Sequence, residues 1–271
     1  MTVTSVIPDP TAETPLRGPV VVTGTDTGVG KTIVTAALAA AATARGLRVA
    51  VLKPAQTGIA TGAHGDESDV DTVARLADPA GHRTLVTYPD PLAPLAAARV
   101  ADRAPLSLRE SLDAVRSLAS AYDLVLVEGA GGLLVPMGIA NAGPWTVADL
   151  AGVAGAAVVV VTRAGLGTLN HTALTLEALV RRKLTPRVVV GAWPAQPELV
   201  HHTNLADLTT IGGPLAGVVA EGAGGLSPET FRASAPSWLS PALHGTLDPR
   251  EWSGAETIDR PSPDKLPPAD L

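Results

Sequence analysis

An α/β fold, with a mostly parallel sheet covered by helices on both faces, is what this sequence predicts. Three observations point there. Near-continuous Val- and Leu-rich runs, such as Val20-Val21-Val22, Val125-Leu126-Val127 and Ala156 to Thr162, read as strands buried on both faces. Helix-like segments alternate with them, the order of a sheet with helical crossovers. Of the 271 residues 46% are hydrophobic but only 3% aromatic, so the core is Ala, Val and Leu, suited to helices packed closely on a sheet.

Val20 to Thr23 is the first strand, and Lys31 to Arg45 a helix closed by Gly46, a residue type favoured just past a helix end. Arg48 to Lys53 is the second strand, followed by a polar loop to Glu67. Ser68 caps a short helix to Ala77. Ser107 and Glu110 have the spacing of a capping box, opening a helix through Ser120. Asp123 to Val127 and Ala156 to Thr162 are strands, Leu169 to Lys183 a helix, and Arg187 to Val190 and Leu215 to Val219 the last strands. This gives a single domain over residues 19–239, a flexible arm at 1–18 and an irregular or disordered tail at 240–271. Seven prolines from Pro236 onward suggest the tail, part of which drapes on the surface.

Composition removes several function classes. A net charge of −6 argues against nucleic-acid binding and anionic membrane surfaces. The absence of cysteine excludes disulfides, thiolate metal sites and Cys nucleophiles. No apolar run has membrane-spanning length, and Met1 to Arg17 lacks the apolar core of a signal peptide, so a cytoplasmic protein is expected.

Ligands of such sheets bind beyond the carboxyl ends of the strands, where the unusual motifs of this chain fall. Gly24 to Thr32, Gly-Thr-Asp-Thr-Gly-Val-Gly-Lys-Thr, joins the first strand to the first helix and makes the fold P-loop NTPase-like. Backbone N–H groups from Thr27, Gly28, Val29 and Gly30 converge on phosphate at a helix N-terminus. Lys31 reaches the β/γ-phosphates and the Thr32 hydroxyl meets Mg²⁺. Five residues separate Gly24 from Gly30, one more than usual. Lys53, held by Pro54 at a strand end, points a second cation at the same region, with the Thr57 hydroxyl beside it. Glu128 ends an apolar strand as a Walker B carboxylate does, and a buried carboxylate there needs a cation. Gly129, Ala130, Gly131 and Gly132 follow as a turn or an anion-binding nest. Asp66, Glu67, Asp69 and Asp71 read as a solvated acidic helix start. At Gly167, Thr168, Leu169 and Asn170 two readings stand: helix caps, or a second anion site suited to a carboxylate. His171, His201 and His202 have no metal-ligand spacing.

With these motifs in order, the chain resembles the dethiobiotin synthetases over about Val20 to Leu226. The longer P-loop, Lys53-Pro54 with Thr57-Gly58, Glu128 to Gly132 and Leu169-Asn170-His171 all match that family's pattern. The resemblance implies nucleotide-dependent carboxylation and ring closure of 7,8-diaminononanoate with CO₂, through a carbamate and a carbamic–phosphoric anhydride. It assigns Thr32, Asp69 and Glu128 to Mg²⁺, Lys31 and Lys53 to the reacting groups, and Thr57 to the carbamate. It further implies a homodimer in which Gly167, Thr168, Leu169 and Asn170 bind the substrate carboxylate across the interface. Ala220, Glu221 and Gly222 match a nucleotide-contacting segment. Two positions depart: Gly28 stands where many members have Glu, and Gly191, before Ala192, where many have an adenine-reading Asn. Loss of that amide leads us to expect relaxed base choice among ATP, CTP and GTP. A P-loop switch ATPase of the partitioning type is the rival reading, but such proteins usually carry an additional Lys early in the P-loop and a membrane- or DNA-binding surface. This P-loop has no early Lys, and the net charge is wrong for DNA.

Overall fold

The computed structural model describes residues 14–59 and 67–248. In chain order the elements are β1 (Gly18–Gly24), α1 (Lys31–Ala44), β2 (Val49–Thr57), α2 (Asp69–Ala77), β3 (Gly81–Tyr88), α3 (Pro94–Val100), α4 (Leu108–Ala119) and β4 (Leu124–Gly132). They continue with β5 (Gly138–Ala140), β6 (Gly143–Trp145), α5 (Val147–Ala154), β7 (Ala157–Thr162), α6 (Thr168–Val180), β8 (Pro186–Trp193), α7 (Leu199–Gly212), β9 (Gly217–Ala220) and α8 (Pro228–Ser234). Seven strands form one sheet in the order β3-β2-β4-β1-β7-β8-β9, every adjacent pair parallel. β5 and β6 make a separate antiparallel pair. Among the described residues no helix is long and apolar enough to cross a membrane.

The period-2 geometry of strands explains why their apolar runs are unbroken. Val20, Val22, Leu124, Leu126, Val159 and Val161 face one side with α1, α2 and α8. Val21, Val125, Val127, Val158 and Val160 face the other with residues of α3 to α7. The Ala-rich face of α1 lets that helix lie close to the sheet. Ser68 caps α2 and Ser107 with Glu110 forms the expected box on α4. β2 runs past Pro54 to Thr57; its pairing with β4 stops at Leu52, and its register with β3 steps from Lys53 to Ala55, leaving the proline without a ladder partner.

The tail expected from residue 240 begins inside packed structure. Ala242, Leu243 and His244 are buried, and Ser240 N–H donates to the Ala216 carbonyl. Leu16 is also buried, its N–H bonded to the Ala242 carbonyl and its own carbonyl 2.8 Å from His244 Nε2. Arg45, ending α1, donates to the His244 and Gly245 carbonyls. Hydrophobic burial thus extends the described domain past both expected boundaries; residues 1–13 and 249–271 lie outside the described residues.

Burial holds the His244 imidazole below its ordinary 6.5, with the charges of Arg17 and Arg45 adding to it and the Leu16 bond opposing. An unfolded chain therefore takes up a proton that the folded chain refuses. His244 stabilises the fold fully above pH 6.5, and this contribution fades as pH falls through the lowered folded value. Comparing melting temperatures from pH 7.5 to 5 should show a shallower acid decline for His244→Gln than for the parent; parallel curves would reject this role.

Candidate active site

Alternation places the site. Lys53 continues the face of Val49 and Val51, and Glu128 that of Leu124 and Leu126, so both project toward α1 and α2. There Lys53 Nζ lies 2.8 Å from Glu128 Oε1, 2.5 Å from Asp69 Oδ2 and 3.1 Å from the Gly129 carbonyl. The Thr32 hydroxyl donates to Glu128 Oε1 at 2.9 Å. Lys31 Nζ folds back onto the Asp26 carbonyl at 2.9 Å. A cleft of about 460 Å³ opens above these groups, lined also by Thr27, Gly28, Gly30, Gln56, Thr57, Ala130 and Gly131.

The electrostatics are tightly balanced. Burial works against the charge on Lys53, yet Glu128 and Asp69 outweigh it and raise the ammonium above its ordinary value. Burial likewise opposes the Asp69 carboxylate, but Lys53, Thr32 and Lys31 hold its pKa below the usual range. Lys31 is lowered, by burial first and by the neighbouring Lys53 charge second. Phosphate oxygens would relieve both burdens on Lys31.

α1 starts without a side-chain cap, and Gly30 takes its N-cap position at φ 94°. Its first-turn N–H groups point where an anion would lie. Val29 turns its side chain into the core, giving only backbone to the cleft side. Gly28, φ 71°, has nothing within 4 Å of the position a Cβ would take, so the space beside it is open.

For Mg²⁺ the residues fit. Glu128 Oε2 is buried with no protein hydrogen-bond partner, and Thr32 and Asp69 add oxygen donors beside it. Among the described residues no group of three or more His, Cys, Asp or Glu forms a self-sufficient metal cage. Two carboxylates and a hydroxyl suit an ion that keeps waters and shares phosphate oxygens.

Several sequence expectations change. β4 continues through Gly129 to Gly132, where Gly131 takes φ 66° and Ala130 and Gly131 line the cleft, and pairing with β1 resumes at Gly132 opposite Gly24. At Gly191 no amide could read a base, because a Cβ would collide with the Val29 carbonyl oxygen. Glycine at 191 follows from contact with the P-loop backbone. Ala192, Ala220, Glu221 and Gly222 are exposed at the ends of β8 and β9, but the Glu221 N–H is already donated to the Trp193 carbonyl. Gly167, Leu169 and Asn170 stand at the start of α6, away from the cleft lining, and Leu166 beside them is 86% exposed. Thr168 is fully buried. Its hydroxyl bonds to Thr162 and the Arg163 carbonyl, so a substrate cannot use it.

Two features escaped the sequence reading. Gln56 accepts the Asp69 N–H at 3.1 Å; a polar side chain inside an apolar strand was the available signal. Asp26 binds the Thr27 N–H and the Arg163 guanidinium, tying the P-loop to the end of β7, and no spacing rule pairs residues so far apart.

The fold and cleft define a P-loop nucleotide-binding protein, and the family model for an AAA domain matches residues 19–221. Within that class the chain belongs to the dethiobiotin synthetase family. It is 53% identical to an ATP-dependent dethiobiotin synthetase of Streptomyces coelicolor, covering 84% of this chain and 94% of that one. A Frankia casuarinae ATP-dependent dethiobiotin synthetase is also 53% identical, over 86% of this chain and 96% of its own. Among solved structures, the MinD cell division protein of Aquifex aeolicus is similar at TM-score 0.47 and 14% identity, covering 80% of this chain and 87% of that one. A ParA family ATPase of Chlorobium tepidum is similar at TM-score 0.48 and 14% identity, covering 80% and 91%.

Proposed function

We propose that this protein is an ATP-dependent dethiobiotin synthetase, a ligase that carboxylates 7,8-diaminononanoate and closes the ureido ring. The observation that carries the reading is Lys53, buried between Asp69 and Glu128 at the floor of the phosphate cleft. A cation in that place suits a reaction in which every intermediate is an anion.

One amine adds to CO₂, losing a proton and giving a carbamate. A carbamate oxygen takes the γ-phosphoryl group as ADP leaves. The second amine then attacks the carbonyl carbon, closing the ring with release of phosphate. Lys31 transfers from the Asp26 carbonyl to the phosphates, and Lys53 holds the carbamate, with the Thr57 hydroxyl at the cleft wall. Mg²⁺ held by Thr32, Asp69 and Glu128 would supply charge neutralisation on the β- and γ-phosphates. No covalent nucleophile is needed, in keeping with a chain that contains no cysteine.

A homodimer belongs to this reading. Leu166, just before the uncapped start of α6, and Leu174, further along it, are exposed at 86% and 58%, which supports a partner's cleft receiving Gly167, Leu169 and Asn170. A cytoplasmic location accords with substrates that are ordinary metabolites. Base choice would rest on backbone at Ala192 and Ala220 to Gly222.

Phosphate release by the purified protein tests the function. It should require diaminononanoate and bicarbonate together, with ATP, CTP and GTP turnover within about 100-fold, or 2.7 kcal/mol, of one another. Hydrolysis that needs no diamine and rises with DNA or lipid would overturn the biosynthetic reading in favour of a switch ATPase. A larger ATP preference would overturn only the statement on bases.

A further inference from the structure

Gln56 joins the two walls of the cleft. It is buried, 8% exposed, and its side chain bonds only the backbone of Asp69 and Thr57. Helix α2 begins at Asp69, and the first N–H groups of a helix have no partner inside it. The Ser68 hydroxyl takes the Asp71 N–H at 3.2 Å, and Gln56 Oε1 takes that of Asp69 at 3.1 Å. From the other end of the amide, Nε2 donates to the Thr57 carbonyl at 3.3 Å. A backbone N–H can only donate and a carbonyl only accept, so both ends of the amide are fixed. Glutamate would lack the donor and methionine both groups, while asparagine is one carbon short.

We infer that Gln56 is a positioning residue: it anchors the start of α2 at the depth where the Asp69 carboxylate meets Lys53 and Thr32. Val70, Val73, Leu76 and Ala77 pack the body of α2 into the core, but Asp69 is its first residue, with a side chain about a third exposed, so its depth depends on how the first turn is held. The anchor comes from β2, the strand that carries Lys53 and Thr57. One amide therefore sets the spacing between cation, carboxylate and the Thr57 end of the cleft. The inference deepens the function proposed above and rests on Asp69 being part of that site.

The test uses the full chain with Gln56→Met, Gln56→Glu, Asp69→Asn and the Met/Asn double variant. Calorimetry gives ADP affinity with and without Mg²⁺, and steady-state assays give kcat and KM separately. Partners that orient metal ligands contribute about 10- to 100-fold, so Gln56→Met should lose at least about tenfold in kcat and in the tightening of ADP by Mg²⁺. Metal-free ADP affinity should stay near the parent's, a result that general unfolding would not give. Gln56→Glu keeps the acceptor and should retain most of the Mg²⁺ effect. Because Gln56 acts through Asp69, adding Gln56→Met to Asp69→Asn should cost nothing more. Additive losses, or a silent Gln56→Met beside a damaging Asp69→Asn, would overturn the inference alone. A silent Asp69→Asn would overturn it together with the placement of Asp69 in the site.

Discussion

Lys53→Ala is expected to lower kcat by about 10²- to 10³-fold, the scale of losing one preorganised charge at a reacting anion. The structure adds a second effect that a lysine at a strand end would not suggest. Removing Lys53 leaves Glu128, with a side chain 2% exposed, and the partly exposed Asp69 facing each other without their shared cation. Breaking a buried pair costs about 3–5 kcal/mol, and the exposure of Asp69 argues for the lower end. At about 3 kcal/mol the melting temperature should fall by roughly 6–12 °C. Mg²⁺ with ADP should restore much of that loss by resupplying positive charge between the carboxylates. Scanning calorimetry with and without Mg²⁺·ADP checks the stability, and the phosphate-release assay the turnover. Full turnover would remove Lys53 from the chemistry; an unchanged melting temperature would mean that the carboxylates find another partner.

Gly191→Ala should damage nucleotide binding although residue 191 need not touch the nucleotide. The added Cβ collides with the Val29 carbonyl oxygen and lies 2.6 Å from Val161 Cγ1, and the reciprocal Cβ on Gly30 would lie 2.7 Å from the Gly191 carbonyl oxygen. Backbone meets backbone here, so no flexible side chain can move aside. Overpacking of this kind costs about 1–3 kcal/mol, which, taken from a loop that must hold its N–H groups on phosphate, lowers ADP affinity by roughly 10- to 100-fold. Gly165→Ala is the control, with no atom within 4 Å of its built Cβ and no positive φ. Equal ADP affinity for the two variants would refute the packing argument.

What could be read ahead of the structure divides by physical cause. The buried central strands announced themselves, because a strand covered on both faces must be apolar along its length. The P-loop, Lys53 and Glu128 were legible as chemistry, although β2 and β4 run on past Lys53 and Glu128 to Thr57 and Gly132. β3 was missed because its Gly-His-Arg-Thr start is polar and half exposed, and the run Leu85-Val86 alone is too short to separate strand from helix. α5 was missed since its capping box uses Thr146 with Asp149 rather than Glu or Gln, and Gly152 interrupts its pattern. α7 escaped because polar residues, His201, His202 and Thr203 among them, weaken its periodicity. At the site, the physical cause of Gly191 was hidden. Sequence can register a missing amide, but only packing against Val29 explains why no side chain stands there. The inward turn of Thr168 was hidden for a similar reason, since its partners Thr162 and Arg163 become neighbours only when β7 and α6 fold together.

The balance of formal charge on Lys31, Lys53, Asp69 and Glu128 has a kinetic consequence. Two cations and two carboxylates leave the cleft floor with no net charge to act beyond a Debye length, while the whole chain carries −6. A free nucleoside triphosphate approaching this surface meets repulsion until it is close enough to feel individual dipoles and the single turned-back ammonium of Lys31. Added salt should hasten such encounters rather than slow them, and a nucleotide already carrying its divalent ion should arrive faster than a bare one. Affinity in this cleft is then built by contact after arrival, and capture from a distance contributes little.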